Sequence, residues 1–156
     1  MTIEQDLKLE QVIHLDLSNF SQVISGTSVR ETIDKMRQEL HNAAIVIDAA
    51  EKPIGIFTDR DVLRKIVDSP DSWNQAIDTV MTPNPITVNS TDPAIKALEL
   101  MDEKHFRNVP VLGDDGKVIG NLTHYALIKY LADRFPESVY NLPPDPDHVS
   151  SYRDGA

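Results

Sequence analysis

The chain contains no cysteine among its 156 residues. This absence excludes disulfide bonds, thiolate catalysis and cysteine-ligated zinc or iron–sulfur clusters. Long apolar runs are also missing, since none approaches the roughly 18 residues that a membrane-spanning helix needs. The first residues, MTIEQDLKLE, carry acid where a secretory signal has a basic segment followed by an apolar one. We therefore expect a cytoplasmic protein with no membrane partner.

Basic residues are scarce relative to acidic ones. The chain has 15 Lys and Arg against 25 Asp and Glu, which gives a formal net charge of −10. Proteins that follow a nucleic-acid backbone need a basic stripe, so we expect no nucleic-acid partner. A small phosphorylated ligand is compatible with this charge, because one local cluster of arginines is enough to bind it.

Sequence signatures of catalysis are absent as well. The five histidines form no i, i+4 pair and no H-E-x-x-H motif, and there is no G-x-S-x-G elbow. We therefore expect no metal site, no catalytic residues and no enzyme activity.

A repeat dominates the rest of the sequence. Gly55 and Thr58 in the stretch GIFTDRD recur 65 residues later as Gly120 and Thr123 in GNLTHYA. One ungapped offset over most of the chain predicts two copies of a single structural unit. The same offset aligns Val23 with Val88, Met36 with Met101, Val46 with Val111, Lys52 with Lys117 and Ile54 with Ile119.

Each copy predicts the order strand, helix, strand, strand, helix, and hence an α+β fold. Apolar residues spaced by three and four indicate the helices, and short β-like runs separated by turn residues indicate a hairpin. In the first copy, the second helix is predicted from Val62, Leu63, Ile66 and Val67. We assign residues 1–70 to the first repeat with an N-terminal extension, 71–82 to a linker with a short helix, 83–135 to the second repeat and 136–156 to a mobile, Pro-rich acidic tail.

These features resemble the tandem CBS-domain pair, also called a Bateman module. The resemblance rests on the duplicated β-α-β-β-α unit, MTPNPITV before the second unit, RNVPVL, the two hairpin glycines and TDRD. It implies two repeats packed with pseudo-twofold symmetry around two clefts. In that family the clefts hold adenine nucleotides or S-adenosylmethionine, and the modules commonly form homodimers.

The resemblance also implies which residues bind the ligand. The first cleft would be formed by Gly55, Ile56, Thr58, Asp61, Pro85, Ile86, Thr87, Arg107 and Val109. The second would be formed by Phe20, Ser21, Gln22, Asn42, Gly120, Leu122 and Thr123. In the family the aspartate binds the ribose hydroxyls. Position 126, which corresponds to Asp61, is alanine, and Asn42 stands where the second copy has Arg107, so the second cleft is expected to bind more weakly.

A local alternative exists for Thr58 and Asp61. The spacing Thr-x-x-Asp is also a variant of the capping box, in which the two side chains satisfy the backbone at the start of a helix. The two roles are compatible in part, because Thr58 can cap the helix in the empty state and contact a ligand in the filled one. Arg107, with Arg60 as a second candidate, would supply the guanidinium for a phosphate.

The function that follows is a regulatory module that binds AMP, ADP, ATP or S-adenosylmethionine as a regulatory ligand, with no obligatory cofactor. It would signal occupancy to an unknown protein target or to its own dimer. The alternative is a dimerisation scaffold with empty clefts.

Overall fold

The structure is a computed structural model that describes residues 1–137. The predicted tail at 136–156 therefore lies almost entirely outside the described residues. The strands are β1 (Ser21–Ile24), β2 (Ala43–Ile47), β3 (Pro53–Thr58), β4 (Thr82–Pro83), β5 (Val88–Asn89), β6 (Asn108–Leu112) and β7 (Val118–Thr123). The helices are α1 (Ile3–Leu9), α2 (Val29–Glu39), α3 (Asp59–Asp61), α4 (Ala94–Lys104) and α5 (His124–Arg134).

The strands form two sheets, one for each copy of the repeat. The first has the order β1-β2-β3-β4 and the second has the order β5-β6-β7. In both sheets the first strand is parallel to the second, and the remaining pairs are antiparallel. The parallel step is possible because a helix, α2 or α4, crosses over between the two strands. The α+β fold predicted from the sequence is confirmed.

Strand register repeats along with strand order. Val46 lies opposite Gly55 in the first hairpin, and Val111 lies opposite Gly120 in the second. A register shift follows immediately after Val46 and again after Val111. An irregularity that recurs at the same offset as the sequence identities shows that the two copies share a backbone as well as a pattern.

Left-handed backbone positions recur at the same offset. Leu40 and His105 end α2 and α4 with φ values of 59° and 57°. Glu51 and Gly116 turn the two hairpins with φ values of 63° and 80°. Glycine adopts this region without a steric cost, whereas Leu40, His105 and Glu51 do so against the preference of residues with a β-carbon.

The second helix of the first repeat differs from the prediction. Only Asp59–Asp61 is α-helical, and Val62–Ile66 continues as a π-helical turn in which the Val67 amide donates to the Val62 carbonyl at 3.1 Å. The wider turn changes which side chains share a face. Ile66 is fully buried, while Leu63 and Val67 are exposed.

The segment between the repeats contains 3-10 turns at Pro70–Asn74 and Ile77–Thr79, where a short helix was expected. Asp78 in the second turn accepts hydrogen bonds from the Ser25 hydroxyl and the Gly26 amide. The chain then adds β4 to the edge of the first sheet, so that Thr82 pairs with Ile56. These contacts tie the inter-repeat segment to the first repeat.

The N-terminal helix α1 packs on the second repeat, although it precedes the first in the chain. Leu7, Val12 and Leu15 are buried in the same core cluster as residues of α4, β6, β7 and α5. At its edge, the Tyr130 hydroxyl donates to the buried Asp6 carboxylate at 2.6 Å, and Arg134 pairs with Asp6 at 2.7 Å. The second core is therefore assembled from both ends of the described chain.

Within residues 1–137, no helix combines the length and the apolar character needed to cross a membrane. The same residues contain no group of three or more His, Asp or Glu side chains arranged to hold a metal ion.

Candidate functional site

A cleft of about 800 Å³ lies where the two repeats meet. Its volume falls within the usual range for small-molecule sites. Six parts of the chain form it: residue 19 before β1, residue 42 before β2, the end of β3 with α3 and its π-helical turn, the segment through β4 to residue 86, the loop before β6 with the first residue of β6, and the junction of β7 and α5. The lining residues are Asn19, Asn42, Ile56, Thr58, Asp59, Arg60, Asp61, Arg64, Thr82, Asn84, Pro85, Ile86, His105, Phe106, Arg107, Asn108, Thr123, His124 and Tyr125.

Thr58 and Asp61 form one wall at the junction of β3 and α3. The Asp61 carboxylate accepts the Thr58 amide at 3.0 Å and the Thr58 hydroxyl at 3.4 Å through the same oxygen, Oδ2. Its other oxygen lies 3.3 Å from Lys65 Nζ. Asp61 therefore forms the aspartate half of the capping box, as the alternative for this motif predicted. The 3.4 Å contact with the Thr58 hydroxyl is the longest of the three and the easiest to exchange for a ligand hydroxyl.

The facing wall comes from the MTPNP segment that leads into the second repeat. Asn84 adopts a left-handed backbone with φ of 52°, and its amide donates to the Ile54 carbonyl at 3.1 Å. This turn carries Pro85 and Ile86 into the cleft, where Ile86 is 40% exposed. With Ile56 on the opposite side, the two isoleucines supply apolar surface on which a flat ring can pack.

Six of the residues predicted for the first cleft line it, and three do not. Ile56, Thr58, Asp61, Pro85, Ile86 and Arg107 line the cleft. Gly55 instead packs against Met81, Val109 is fully buried in the second core, and Thr87 is half-buried beside β5. Gly55 and Val109 alternate with residues that do face the cleft, as the two-residue period of a strand requires.

Of the residues predicted for the second cleft, Asn42 and Thr123 line the same continuous cleft. Gly120 packs against Leu17, and Leu122 belongs to the second core. Phe20, Ser21 and Gln22 do not line the cleft, and Ser21 is buried with its hydroxyl 3.1 Å from His41 Nδ1.

The start of α5 lacks the carboxylate that α3 has. Thr123 accepts the Ala126 amide at 2.9 Å and so caps the helix through its hydroxyl alone. Behind it, the buried Asn121 amide nitrogen donates to the Asn19 carbonyl at 3.1 Å and to Asn108 Oδ1 at 3.0 Å. The hydrogen-bond partners of Thr123 and Asn121 are therefore all neutral groups.

Several lining residues were not predicted as part of a site, among them Asn19, Arg64, Phe106 and Tyr125. A signal was present for two of them, because the 65-residue offset places Asn19 at the position of Asn84 and Tyr125 at the position of Arg60. Arg64 and Phe106 have no such marker. Their place at the cleft follows from the π-helical turn and from the loop between α4 and β6.

Comparison with known proteins places the chain in a family. It matches the CBS domain over residues 22–68 and 77–133, which together make up about two thirds of the sequence. A curated relative, arabinose 5-phosphate isomerase KdsD of Pseudomonas aeruginosa, is 31% identical over 123 residues, covering 79% of this chain and 37% of that protein. Across the first three curated relatives, the matched region spans only 20% to 54% of their length.

Two solved structures share the fold and carry ligands. The CBS domain pair of MJ0100, in complex with 5′-methylthioadenosine and S-adenosyl-L-methionine, superposes with a TM-score of 0.71 at 21% identity, covering 80% of this chain and 98% of that one. CBSX2 in complex with AMP superposes with a TM-score of 0.68 at 24% identity, covering 80% and 97%. With two adjacent matches and the same duplicated architecture, the chain belongs to the CBS domain family.

Proposed function

We propose that this chain is a regulatory module that binds an adenine nucleotide or another adenosyl ligand in the cleft between its repeats. The observation that carries the proposal is that Asp61 and Thr58 of the first repeat line one cleft together with Ile86 of the segment that leads into the second. One wall belongs to the first repeat and the other belongs to the segment that leads into the second. A ligand held by both walls therefore links the two repeats.

The chemistry of each wall suits one part of such a ligand. A carboxylate can accept both hydroxyls of a ribose cis-diol, and hydrogen bonds to a charged acceptor are about twice as strong as neutral ones. Ile56 and Ile86 flank the site with apolar surface for a purine ring, and Arg107 lies on the same cleft for a phosphate. Two related CBS pairs bind AMP or adenosyl sulfur compounds, which supports the same ligand class here.

Binding requires a local rearrangement at Asp61. This carboxylate already contacts the Thr58 amide and Lys65. A diol can replace the long contact with the Thr58 hydroxyl while the bond to the amide stays in place. Since the ligand contacts both repeats, it favours the conformation in which the two walls of the cleft are closest. The resulting increase in the population of that conformation is the signal. The receiver is a partner protein or the second subunit of a homodimer.

The test is isothermal titration with AMP, ADP, ATP and S-adenosylmethionine, with thermal unfolding in parallel. A ligand present at about a hundred times its Kd stabilises the fold by roughly 2.7 kcal/mol, which raises Tm by several degrees. We expect Asp61→Ala to weaken binding at least about tenfold, the loss of one charge-assisted hydrogen bond. Asp102→Ala is the matched control, because Asp102 is exposed on α4 and does not line the cleft.

Two results would contradict the proposal. If none of the adenosyl compounds binds to the unmodified protein, the cleft has another role. If binding is equally tight in Asp61→Ala and Asp102→Ala, the ligand is held elsewhere and Asp61 acts as a helix cap alone.

A dimerisation scaffold is the second candidate, and exposed apolar side chains favour it. Leu63 in the π-helical turn is 72% exposed and Tyr125 in α5 is 77% exposed, which leaves apolar surface to be covered by another subunit. Light scattering of the unmodified protein is expected to give the mass of a dimer, and Leu63→Asp is expected to give a monomer. A dimer that responds to no adenosyl compound would favour the scaffold, and a monomer would contradict it.

A further inference from the structure

Two arginines flank Asp61 along the cleft. Arg60 precedes Asp61 in α3, and Arg64 follows it in the π-helical turn. Both are exposed, and both line the cleft. Within residues 1–137, neither guanidinium lies within 4.0 Å of a carboxylate, whereas the neighbouring Lys65 pairs with Asp61 and donates to the Val80 carbonyl. The two arginines are therefore cations turned to the cleft without an internal counter-ion in the described chain.

The charge of the cleft is opposite to the charge of the protein. Acidic residues outnumber basic ones by 25 to 15 over the whole sequence. Among the lining residues the order is reversed, with Arg60, Arg64 and Arg107 against Asp59 and Asp61. Lys65 offsets part of the Asp61 charge from the side away from the cleft lining. A local positive field in an acidic protein selects anionic ligands and disfavours cationic ones.

On this basis we infer that the ligand is a nucleoside di- or triphosphate, bound in preference to a nucleoside monophosphate or a sulfonium compound. The inference rests on the proposed function, because it assumes that Asp61 holds the ribose. With the ribose fixed there, Arg60 and Arg64 stand on either side of it in the chain, and Arg107 lies on the opposite part of the cleft.

The number of guanidinium groups sets the preference. A single phosphate is matched by one bidentate arginine fork. Arg60 and Arg64 both line the cleft, so a second phosphate brings a further anion to these two guanidinium groups and increases the favourable interaction. A sulfonium ligand carries a positive charge at the position where a nucleotide carries its first phosphate. It therefore meets repulsion from the same groups.

The experiment is titration of AMP, ADP, ATP and S-adenosylmethionine into the unmodified protein and into the double variant Arg60→Gln/Arg64→Gln, in EDTA and at two salt concentrations. We expect ATP to bind about tenfold or more tightly than AMP, since one charge-assisted hydrogen bond contributes on the order of a factor of ten. In the double variant the ratio of ATP to AMP affinity is expected to fall toward one. Raising the salt concentration is expected to reduce the same ratio.

Arg37→Gln is the matched control. Arg37 is an exposed arginine of α2 that lies outside the cleft, so its removal changes the net charge by one, as each single variant Arg60→Gln or Arg64→Gln does, and is expected to leave the ratio unchanged. The single variants Arg60→Gln and Arg64→Gln give the same comparison if the double variant does not fold.

The possible failures are distinguishable. AMP binding as tightly as ATP, or S-adenosylmethionine binding more tightly than AMP, would overturn this inference and leave the proposed function standing. A preference for ATP that survives the double variant would also overturn it, because the phosphates would then be held by other residues. The absence of binding by every adenosyl compound would overturn the proposed function and this inference together.

Discussion

Leu17 crosses the second sheet directly above Gly120, at a separation that leaves no room for a side chain. A β-carbon built on Gly120 would lie 2.5 Å from Leu17 Cβ and 3.2 Å from the Leu17 carbonyl oxygen. Gly55 has the same relation to Met81 in the first repeat, where the nearest atom, at 2.1 Å, is the Met81 sulfur. Each hairpin glycine thus lets the segment that precedes one repeat lie against the sheet of the other.

The two glycines are expected to differ in their tolerance of alanine. Gly120→Ala displaces Leu17 backbone atoms, and we expect it to lower the free energy of unfolding by about 1–3 kcal/mol, the usual cost of overpacking. Gly55→Ala meets the flexible end of a methionine side chain, which can rotate away at a smaller cost. Urea denaturation of the two variants measures the difference, and a larger loss for Gly55→Ala would contradict this account.

Tyr130 provides a prediction for alkaline pH. Burial, together with the hydrogen bond to Asp6, raises the pKa of the Tyr130 hydroxyl above its ordinary value. A raised pKa means that its stabilisation is complete below about pH 10 and is lost as the pH rises further. We expect Tyr130→Phe to destabilise the protein by about 1 kcal/mol at pH 8, and the gap from the unmodified protein to narrow above pH 10. The exposed Tyr125→Phe is the control, and a gap that widens with pH would refute the assignment.

Asp78 provides the corresponding prediction for acidic pH. Hydrogen bonds from the Ser25 hydroxyl and the Gly26 amide lower the pKa of the Asp78 carboxyl. The stabilisation is therefore present at neutral pH and is lost as the pH falls through the lowered pKa. Asp78→Asn is expected to cost about 1–2 kcal/mol at pH 7 and progressively less below about pH 4. Urea denaturation across this range tests it, with the exposed linker variant Asp71→Asn as the control; a constant difference would show that the charge is not involved.

Ala126→Asp tests the asymmetry between the two halves of the cleft. The new carboxylate would stand three residues after Thr123, as Asp61 stands after Thr58, and can accept the Thr123 amide as the cap of α5. We expect it to raise affinity for a ribose-bearing ligand in this half, seen as a second binding event by titration. Ala126→Asn keeps a cap and lacks the charge. An unchanged titration would mean that Asn19, Asn108 and Asn121 already fill the space that a second ligand needs.

Much of the fold could be predicted, because helices and strands follow from short spacings of apolar residues and the two repeats follow from one constant offset. The single 65-residue offset predicted that Val46 and Val111 have equivalent places, and the register confirms it. The π-helical turn in the second helix of the first repeat could not be predicted in this way. The spacing of Val62, Leu63, Ile66 and Val67 indicates an α-helix, and a π-helical turn at that place depends on packing that the pattern does not contain.

The site was predictable only where the motif and the fold coincide. Thr58 and Asp61 belong to one short motif, and their contact with each other follows from its spacing. Asn19 and Tyr125 reach the cleft because distant segments meet there, and only the 65-residue offset, which aligns them with Asn84 and Arg60, points to this. The packing of α1 on the second repeat could not be predicted either. An apolar residue such as Leu7 is expected to be buried, but the sequence does not indicate which of the two cores it joins.

That packing also has a consequence for biosynthesis. Asp6 and Tyr130 are 124 positions apart, and at about 5–20 residues per second a ribosome needs on the order of ten seconds to synthesise the intervening chain. Until α4, which contacts α1, has been synthesised, the apolar face of α1 lacks its partners in the second repeat. The last strands and α5 then complete the second core around α1. Maturation of the two tandem repeats is therefore expected to be cooperative, and a fragment that begins after α1 would expose the groove that Leu7 and Val12 fill.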